Sequence, residues 1–392
     1  MLGRRWQSLK VWPKNMRIGI DARFCGPIGK GLGRYTQKLV AHLEKIDRQN
    51  QYYVFLRREN WNIYQPTHNN FQKVLADFQW YSWQEQLKMP AVLQQQNLDL
   101  VHFPHFNVPL LYRGKFVTTI HDLILIQFPT KRATTLGPLL YKIKYFGYKR
   151  VISHAVRKSQ SVITVSKYTK KQLAEFFKIK TDKIHVTYEA SSGVESGQLQ
   201  IPESDFLKDY GITKPFLLYV GNAYPHKNLE GLLRAFRKFA QRNNQHQLVL
   251  VGKSDYFYNR LKQEADTLGL TKNNKVIFFG FASEKQLADL YRLAKAYIFP
   301  SFMEGFGLPP LEAMSYGLPV VAANTSCLPE ILAKAAIYFN PHSTREMAAA
   351  IDKILSDRAL REDLREKGYW QVKRYSWEKC ARDTLAVYQR SV

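Results

Sequence analysis

Short apolar runs alternate with amphipathic stretches along almost the whole chain, and this alternation limits the possible folds more than any other feature. In the first half, Met16–Ala22, Gln51–Leu56, Asp99–Phe103, Phe116–Ile120, Ser161–Val165 and Lys183–Thr187 read as strands. In the second half the same reading applies to Pro215–Gly221, Gln247–Val251, Lys275–Phe279, Ala296–Phe299, Pro319–Ala323 and Ala336–Phe339. Helical periodicity fills the gaps. It runs through Tyr35–Leu43, where Leu39, Val40 and Leu43 share a face, and recurs near 84–96, 135–158 and 167–178. It returns near 203–209, 228–242, 255–268, 284–294, 309–316, 328–333 and 344–356. Strands with little polar alternation are covered on both faces, which helices between parallel strands achieve. A chain of 392 residues exceeds one ordinary core. The expected fold class is therefore α/β, with two Rossmann-like domains whose parallel sheets face a central cleft.

The first domain is expected over residues 1–190 and the second over 215–375. Between them, 191–214 holds Gly, Ser, Pro and acidic residues in loose order and reads as a linker. The tail, about 376–392, places Trp377, Ala381, Leu385 and Tyr388 at helical spacing.

Hydrophobic residues make up 45% of the chain and aromatics 14%, enough for well-packed cores. No window of 18 unbroken apolar residues occurs, so no transmembrane helix is expected. Met1–Lys10 is basic but has no apolar core, so it does not read as a secretory signal. Cys25, Cys327 and Cys380 are odd in number and far apart. They match no disulfide framework or zinc spacing, and a reducing, cytoplasmic setting is expected.

Fifty-eight Lys and Arg stand against 32 Asp and Glu, a net charge of +26. Such a field attracts polyanions or an anionic membrane surface. No zinc finger, aromatic RNA-binding motif or helix-turn-helix is visible, which favours the membrane over nucleic acid. Residues 131–158 hold Lys131, Arg132, Lys142, Lys144, Lys149, Arg150, Arg157 and Lys158. Tyr141, Tyr145, Phe146 and Tyr148 are interleaved with them, in the manner of a basic amphipathic helix lying on a bilayer. Arg4, Arg5, Trp6, Lys10 and Trp12 offer a second contact. Peripheral attachment to the inner face of the membrane is the resulting expectation.

The densest chemistry lies in Glu304-Gly305-Phe306-Gly307-Leu308-Pro309-Pro310-Leu311-Glu312. A strand leads in, glycines come next, and two prolines suit the first turn of a helix. Free amides at a helix start attract phosphate. Glu312, expected in the first helical turn, can chelate a cis-diol through its two oxygens. A strand, a glycine loop and a helix with acidic residues also occur as plain structure in any α/β protein.

The longer stretch Pro300–Ala322 resembles the signature of the retaining glycosyltransferases of family 4, a GT-B-fold family, and most closely its mannosyltransferase-like members. That resemblance implies a hexosyltransferase working on a nucleotide-diphosphate sugar. It implies that Glu304 binds hydroxyls of the donor sugar, that the amides of Phe306, Gly307 and Leu308 meet the diphosphate, and that Glu312 binds the ribose. Gly221–Leu229 resembles the family's cationic loop, and Lys227 fits the lysine that neutralises the leaving diphosphate. The family's arginine just after the glycine is missing, because Asn222 stands there; Lys253, after the next strand, is one possible substitute. Gly31 and Gly33, in Gly31-Leu-Gly-Arg-Tyr35, resemble the first-domain glycine loop that approaches the donor. His121, in Thr119-Ile-His-Asp-Leu123, resembles the histidine that touches the donor sugar, and Asp122 would orient it or cap the adjoining segment. Tyr375–Ala381 resembles the segment by which the last helix crosses back to the first domain.

Retention of anomeric configuration comes from the resemblance alone. No Asp-x-Asp motif occurs, so metal-independent transfer is expected, with no cofactor. GDP-mannose is the first donor expected and a UDP-hexose the second. A glycan or lipid-linked hydroxyl is the expected acceptor. Other chemistries on this fold, a sugar-nucleotide epimerase or a phosphorylase, remain open. So does a non-catalytic polyanion binder on a degenerate transferase fold.

Overall fold

The computed structural model describes residues 15–128, 137–191 and 204–392. The first half contributes β1 (Arg17–Asp21), α1 (Lys30–Ile46), β2 (Gln51–Leu56), β3 (Phe71–Leu75), α2 (Trp83–Gln94), β4 (Leu100–Phe103) and β5 (Phe116–Ile120). It continues with α3 (Ile124–Gln127), α4 (Pro138–Lys158), β6 (Ser161–Thr164), α5 (Lys167–Phe177) and β7 (Ile184–Val186). Its strands form one parallel sheet in the order β3-β2-β1-β4-β5-β6-β7. The register places Ile18 beside both Tyr52 and Leu100.

The second half comprises α6 (Asp205–Asp209), β8 (Phe216–Val220), α7 (Leu229–Ala240), β9 (Gln247–Val251), α8 (Tyr256–Thr267), β10 (Val276–Gly280) and α9 (Glu284–Leu293). Then come β11 (Ala296–Phe299), α10 (Leu308–Ser315), β12 (Val320–Ala323), α11 (Leu328–Leu332), β13 (Ala336–Phe339), α12 (Thr344–Ser356), α13 (Arg358–Val372) and α14 (Trp377–Arg390). The sheet order β10-β9-β8-β11-β12-β13 repeats the first pattern. β9 and β11 are buried along their whole length, as strands covered by helices on both faces must be.

Each sheet reverses direction of winding once, between β1 and β4 in the first and between β8 and β11 in the second. At such a reversal the loops leaving the two central strands part to opposite faces and open a crevice at their carboxyl ends. In the second domain, the two loops concerned carry Lys227 and Glu304.

α14 returns to the first domain. Its Trp377, Cys380, Ala381, Val387 and Tyr388 share one core with Ile18, Ile20, Leu39 and Leu43. The Tyr388 hydroxyl lies 2.6 Å from His102 Nδ1, and His102 Nε2 lies 2.8 Å from the Thr119 hydroxyl. Burial pushes His102 down to about 3, so this internal network is neutral.

Three elements escape the sequence reading: the four-residue α3, β3 and α13. β3 is an edge strand with Gln72 and Lys73 inside it, too polar to stand out. α13 is rich in charge and buries only Leu364, Gly368 and Gln371, so it shows little apolar periodicity. Of the expected 135–158 helix, residues 135 and 136 lie outside the described residues, as do Lys131, Arg132, the N-terminal basic cluster and linker residues 192–203.

Candidate active site

Lys227 ends a single 3-10 turn, Pro225–Lys227, after β8. The next residue, Asn228, is left-handed (φ 57°) and buried. Its side-chain amide donates to the carbonyls of Pro300 (3.1 Å) and Pro341 (2.9 Å). One buried amide thereby ties the lysine loop to the loop after β11. Glu304 lies on that second loop, and its N–H donates to Ser326 Oγ at 3.1 Å. The two side chains meet: Lys227 Nζ donates to Glu304 Oε1 at 2.7 Å, with only 14% and 10% of the side chains exposed. Lys227 also lies 5.5 Å from the centre of the Phe299 ring. A shielded ion pair of this kind is a store of charge that an anionic ligand can compete for.

Gly307 has φ 93°, a conformation that favours glycine, and it caps α10. Leu308 is the first helical residue, and Pro309 and Pro310 after it have no N–H, so the unpaired amides at this helix start are those of Gly307 and Leu308. Phe306 is buried. Glu312 is the fifth residue of α10 and not, as expected, in its first turn, because the helix already starts at Leu308. Its carboxylate crosses the cleft to pair with Arg34 of α1. Burial raises the Glu312 pKa, while Arg34 and the Tyr291 hydroxyl pull it down.

Across the cleft the expected glycines separate. A Cβ on Gly33 would overlap the carbonyls of Gly26 and Phe24, so this glycine lets α1 pack on its own loop. Gly31 is exposed and faces open space.

His121 sits just past β5 with both ring nitrogens engaged. Nδ1 lies 2.9 Å from Glu189 Oε1 and Nε2 lies 3.0 Å from the Pro104 carbonyl. A carbonyl and a carboxylate only accept, so both bonds are satisfied together by the imidazolium. Burial works against that charge, but Glu189, the Pro104 carbonyl and Asp122 prevail, and the pKa is raised. Asp122 does not orient the histidine; it caps the next turn, accepting the Ile124 N–H at 2.9 Å.

Asn222 is exposed, and its Oδ1 accepts the Tyr224 N–H at 3.3 Å. Lys253 is exposed on the neighbouring loop, where Gly252 packs against the Gly221 carbonyl.

The two domains touch through polar groups around these residues. A Cβ on Gly305 would overlap the His121 carbonyl, and Ser166 Oγ donates to the Gly305 carbonyl at 2.7 Å. Glu330 of α11 accepts the N–H groups of Lys167 (2.8 Å) and Tyr168 (3.0 Å), capping α5 from the other domain. A carboxylate there meets the positive end of the helix.

Sequence reasoning does not single out Arg34, Ser166, Glu189 or Glu330. Arg34 stands inside the glycine stretch Gly31–Tyr35 and is readable there. Glu189 and Glu330 lie on segments whose pattern gives no sign of what they face.

Cys25, Cys327 and Cys380 are buried free thiols. Among the described residues, no group of three or more His, Cys, Asp or Glu is placed to hold a metal ion, and no helix is long and apolar enough to cross a membrane. α4 exposes Lys142, Lys144, Lys149 and Arg150 together with Ile143 and Phe146, while Ile152, Ala155 and Val156 are buried.

Comparison with known proteins places the chain among glycosyltransferases. Residues 204–371 match the family described as Glycosyl transferases group 1, and residues 29–190 match Glycosyltransferase Family 4. The O-antigen chain mannosyltransferase B of Escherichia coli is 28% identical over 292 residues, covering 74% of each chain. An uncharacterized glycosyltransferase of Methanocaldococcus jannaschii is 32% identical over 302 residues, 74% of this chain and 73% of that one. Among solved structures, the sucrose-phosphate synthase of Thermosynechococcus elongatus superposes with a TM-score of 0.74 at 19% identity, over 96% of this chain and 99% of the other. That last likeness concerns the fold alone, which is GT-B.

Proposed function

The chain belongs to the family 4 and group 1 glycosyltransferases and is a hexosyltransferase, and from that premise we propose that it moves mannose from GDP-mannose to a hydroxyl of a glycan or lipid-linked acceptor, with retention and without a metal ion. A UDP-hexose is the second donor. The observation that carries this reading is the 2.7 Å pair of Lys227 and Glu304, held at the second sheet's switch point against the first domain.

A diphosphate entering the crevice competes with Glu304 for Lys227. The lysine then faces the charge that develops on the leaving group. The freed Glu304 accepts from hydroxyls of the hexose. The amides of Phe306, Gly307 and Leu308 meet the phosphates, and Glu312 exchanges Arg34 for the ribose diol. Gly31 leaves room for the donor, Gly33 sets the position of α1, and Asn222 donates where relatives carry arginine. His121 adds positive charge beneath the sugar. The C1–phosphate bond breaks, the C1–acceptor bond forms on the same face, and the acceptor proton passes to the departing phosphate oxygen. Positioning and leaving-group electrostatics supply the catalysis.

The absence of an Asp-x-Asp motif supports metal independence. The mannosyltransferase relative supports the choice of hexose. The net charge and the exposed face of α4 support a cytoplasmic protein resting on an anionic membrane. That attachment requires salt-sensitive flotation with anionic vesicles, and equal recovery with neutral ones would count against it.

The deciding experiment incubates the purified chain with GDP-mannose or UDP-glucose, with and without EDTA, and monitors nucleoside diphosphate release. Release from GDP-mannose that survives EDTA is expected. Release only from UDP-glucose would replace the donor, and release abolished by EDTA and restored by a divalent cation would remove metal independence. No release from either donor would overturn the reading.

A further inference from the structure

The first sheet has a switch point of its own, between β1 and β4, and the donor chemistry leaves its side chains unused. Phe24 lies just after β1, and His105 and Phe106 lie just after β4. Their rings gather around Tyr81, on the turn before α2. Tyr81 stacks on Phe106 (centroids 5.6 Å apart, planes 16° apart), with His105 at 6.0 Å and Phe24 at 6.2 Å. Tyr148 of α4 meets the edge of Phe106 at 4.8 Å.

Tyr81 is unusual in two respects. It is 57% exposed, and its φ is 59°, a left-handed conformation that strains a bulky residue. A buried network holds it there. Its N–H donates to Glu85 Oε2 at 2.9 Å, and Glu85 Oε1 accepts from the fully buried Arg23 and from Asn107 (2.6 Å). Apolar packing alone would not hold a more than half-exposed aromatic side chain on a strained backbone.

The surroundings fit a sugar. The His105 ring that meets Tyr81 also lies 6.3 Å from the His121 ring, and Asp122 follows His121 in the chain, so the carboxylate belongs to the same neighbourhood. Asp122 in turn abuts Gly305, next to Glu304. A pyranose has one face of C–H groups and a rim of hydroxyls. The C–H face suits the electron-rich face of an aromatic ring, and the hydroxyls suit a carboxylate.

We propose that Tyr81, stacked on Phe106 at the first sheet's switch point and flanked by Asp122 and Tyr148, forms a pyranose subsite that seats the terminal sugar of the acceptor. This rests on the transferase reading above and names the acceptor class as a hexopyranoside. The ring supports the sugar from below, and Asp122 turns its hydroxyl rim toward the Lys227–Glu304 pair.

The test is saturation-transfer NMR on the full chain with methyl α-D-mannopyranoside, methyl α-D-glucopyranoside and methyl α-D-galactopyranoside. Tyr81→Phe keeps the ring. Tyr81→Gly removes it and relieves the backbone, so it should melt no lower than the parent. Transfer to the ring C–H protons of at least one glycoside is expected in the parent and in Tyr81→Phe, with binding about tenfold weaker in Tyr81→Gly. The proposal falls if Tyr81→Gly binds as the parent does, or if the parent binds none of the three. GDP release from GDP-mannose by the parent is read in parallel. Its absence, beside glycoside binding that needs Tyr81, would remove the donor reading and leave the subsite standing.

Discussion

The two domains share a strand order but build their cleft faces in opposite ways. In the second domain, the candidate donor site lies on two adjacent loops, with Glu304 to Glu312 in one unbroken stretch and the Lys227 loop tied to it by the buried Asn228 amide and by the Phe302 N–H, which donates to the His226 carbonyl at 2.7 Å. In the first, the cleft face is collected from Arg34, Tyr81, His105, Phe106, Asp122 and Tyr148, which sit on five separate segments. The contrast matches two tasks. A nucleotide diphosphate always has the same charged core, and one compact loop–helix unit can meet it. An acceptor varies, and a surface made of independent loops can be altered piece by piece.

The largest expected effect tests the second-domain half of this contrast. Lys227→Ala removes the cation beside the leaving group and should lower kcat by about 10²–10³-fold with every acceptor. Steady-state nucleoside diphosphate release measures it. Turnover within a factor of a few of the parent would mean that the compact loop is structural and that the donor is held elsewhere.

A smaller effect is expected where the two faces meet. Gly305→Ala places a methyl group on the His121 carbonyl, so the loop or the whole domain must move away. Displacing reacting groups by about 1 Å costs on the order of 10²-fold, and kcat/KM should fall by that much or somewhat less. The melting temperature should fall as well, because the methyl group meets backbone and not the end of a flexible side chain. A large drop in melting temperature with normal turnover would reverse the assignment and make Gly305 a packing residue only.

The same contrast explains what the sequence disclosed. Parallel strands such as Gln247–Val251 are apolar throughout, so their number and order of appearance could be read directly. In the second-domain candidate site, Glu304 to Glu312 could be read together because they are neighbours in the chain, whereas the pairing of Lys227 with Glu304, 77 positions on, could not. Glu312 was expected in the first turn because the helix start was read one residue late, since the Gly307 cap that sets it depends on a backbone angle. In the first domain, Glu189 is recognised only through His121, 68 positions away. The role of Tyr81 rests on a strained φ and on Glu85, which is bound to Arg23 and Asn107. Contacts of that kind come from tertiary packing and leave no local periodicity.

The smallest effect concerns that hidden first-domain partner. His121 faces Glu189 at one nitrogen and the Pro104 carbonyl at the other, with Asp122 beside it, and the nearby His105 is kept neutral by burial. Its pKa is therefore higher in the folded chain than the ordinary value of about 6.5. A group whose pKa rises on folding adds stability that is complete below the unfolded value and is lost as pH climbs through the folded one. The urea midpoint of the parent should therefore decline from about pH 6.5 upward relative to that of Glu189→Gln, in which the partner charge is gone. The gap between the two should be widest in mild acid, where the imidazolium is fully formed. Curves that stay parallel from about pH 6 to 9 would mean that His121 is neutral in the folded chain. One of its two acceptors would then lack a proton, and the first-domain face would carry one positive charge fewer toward the sugar.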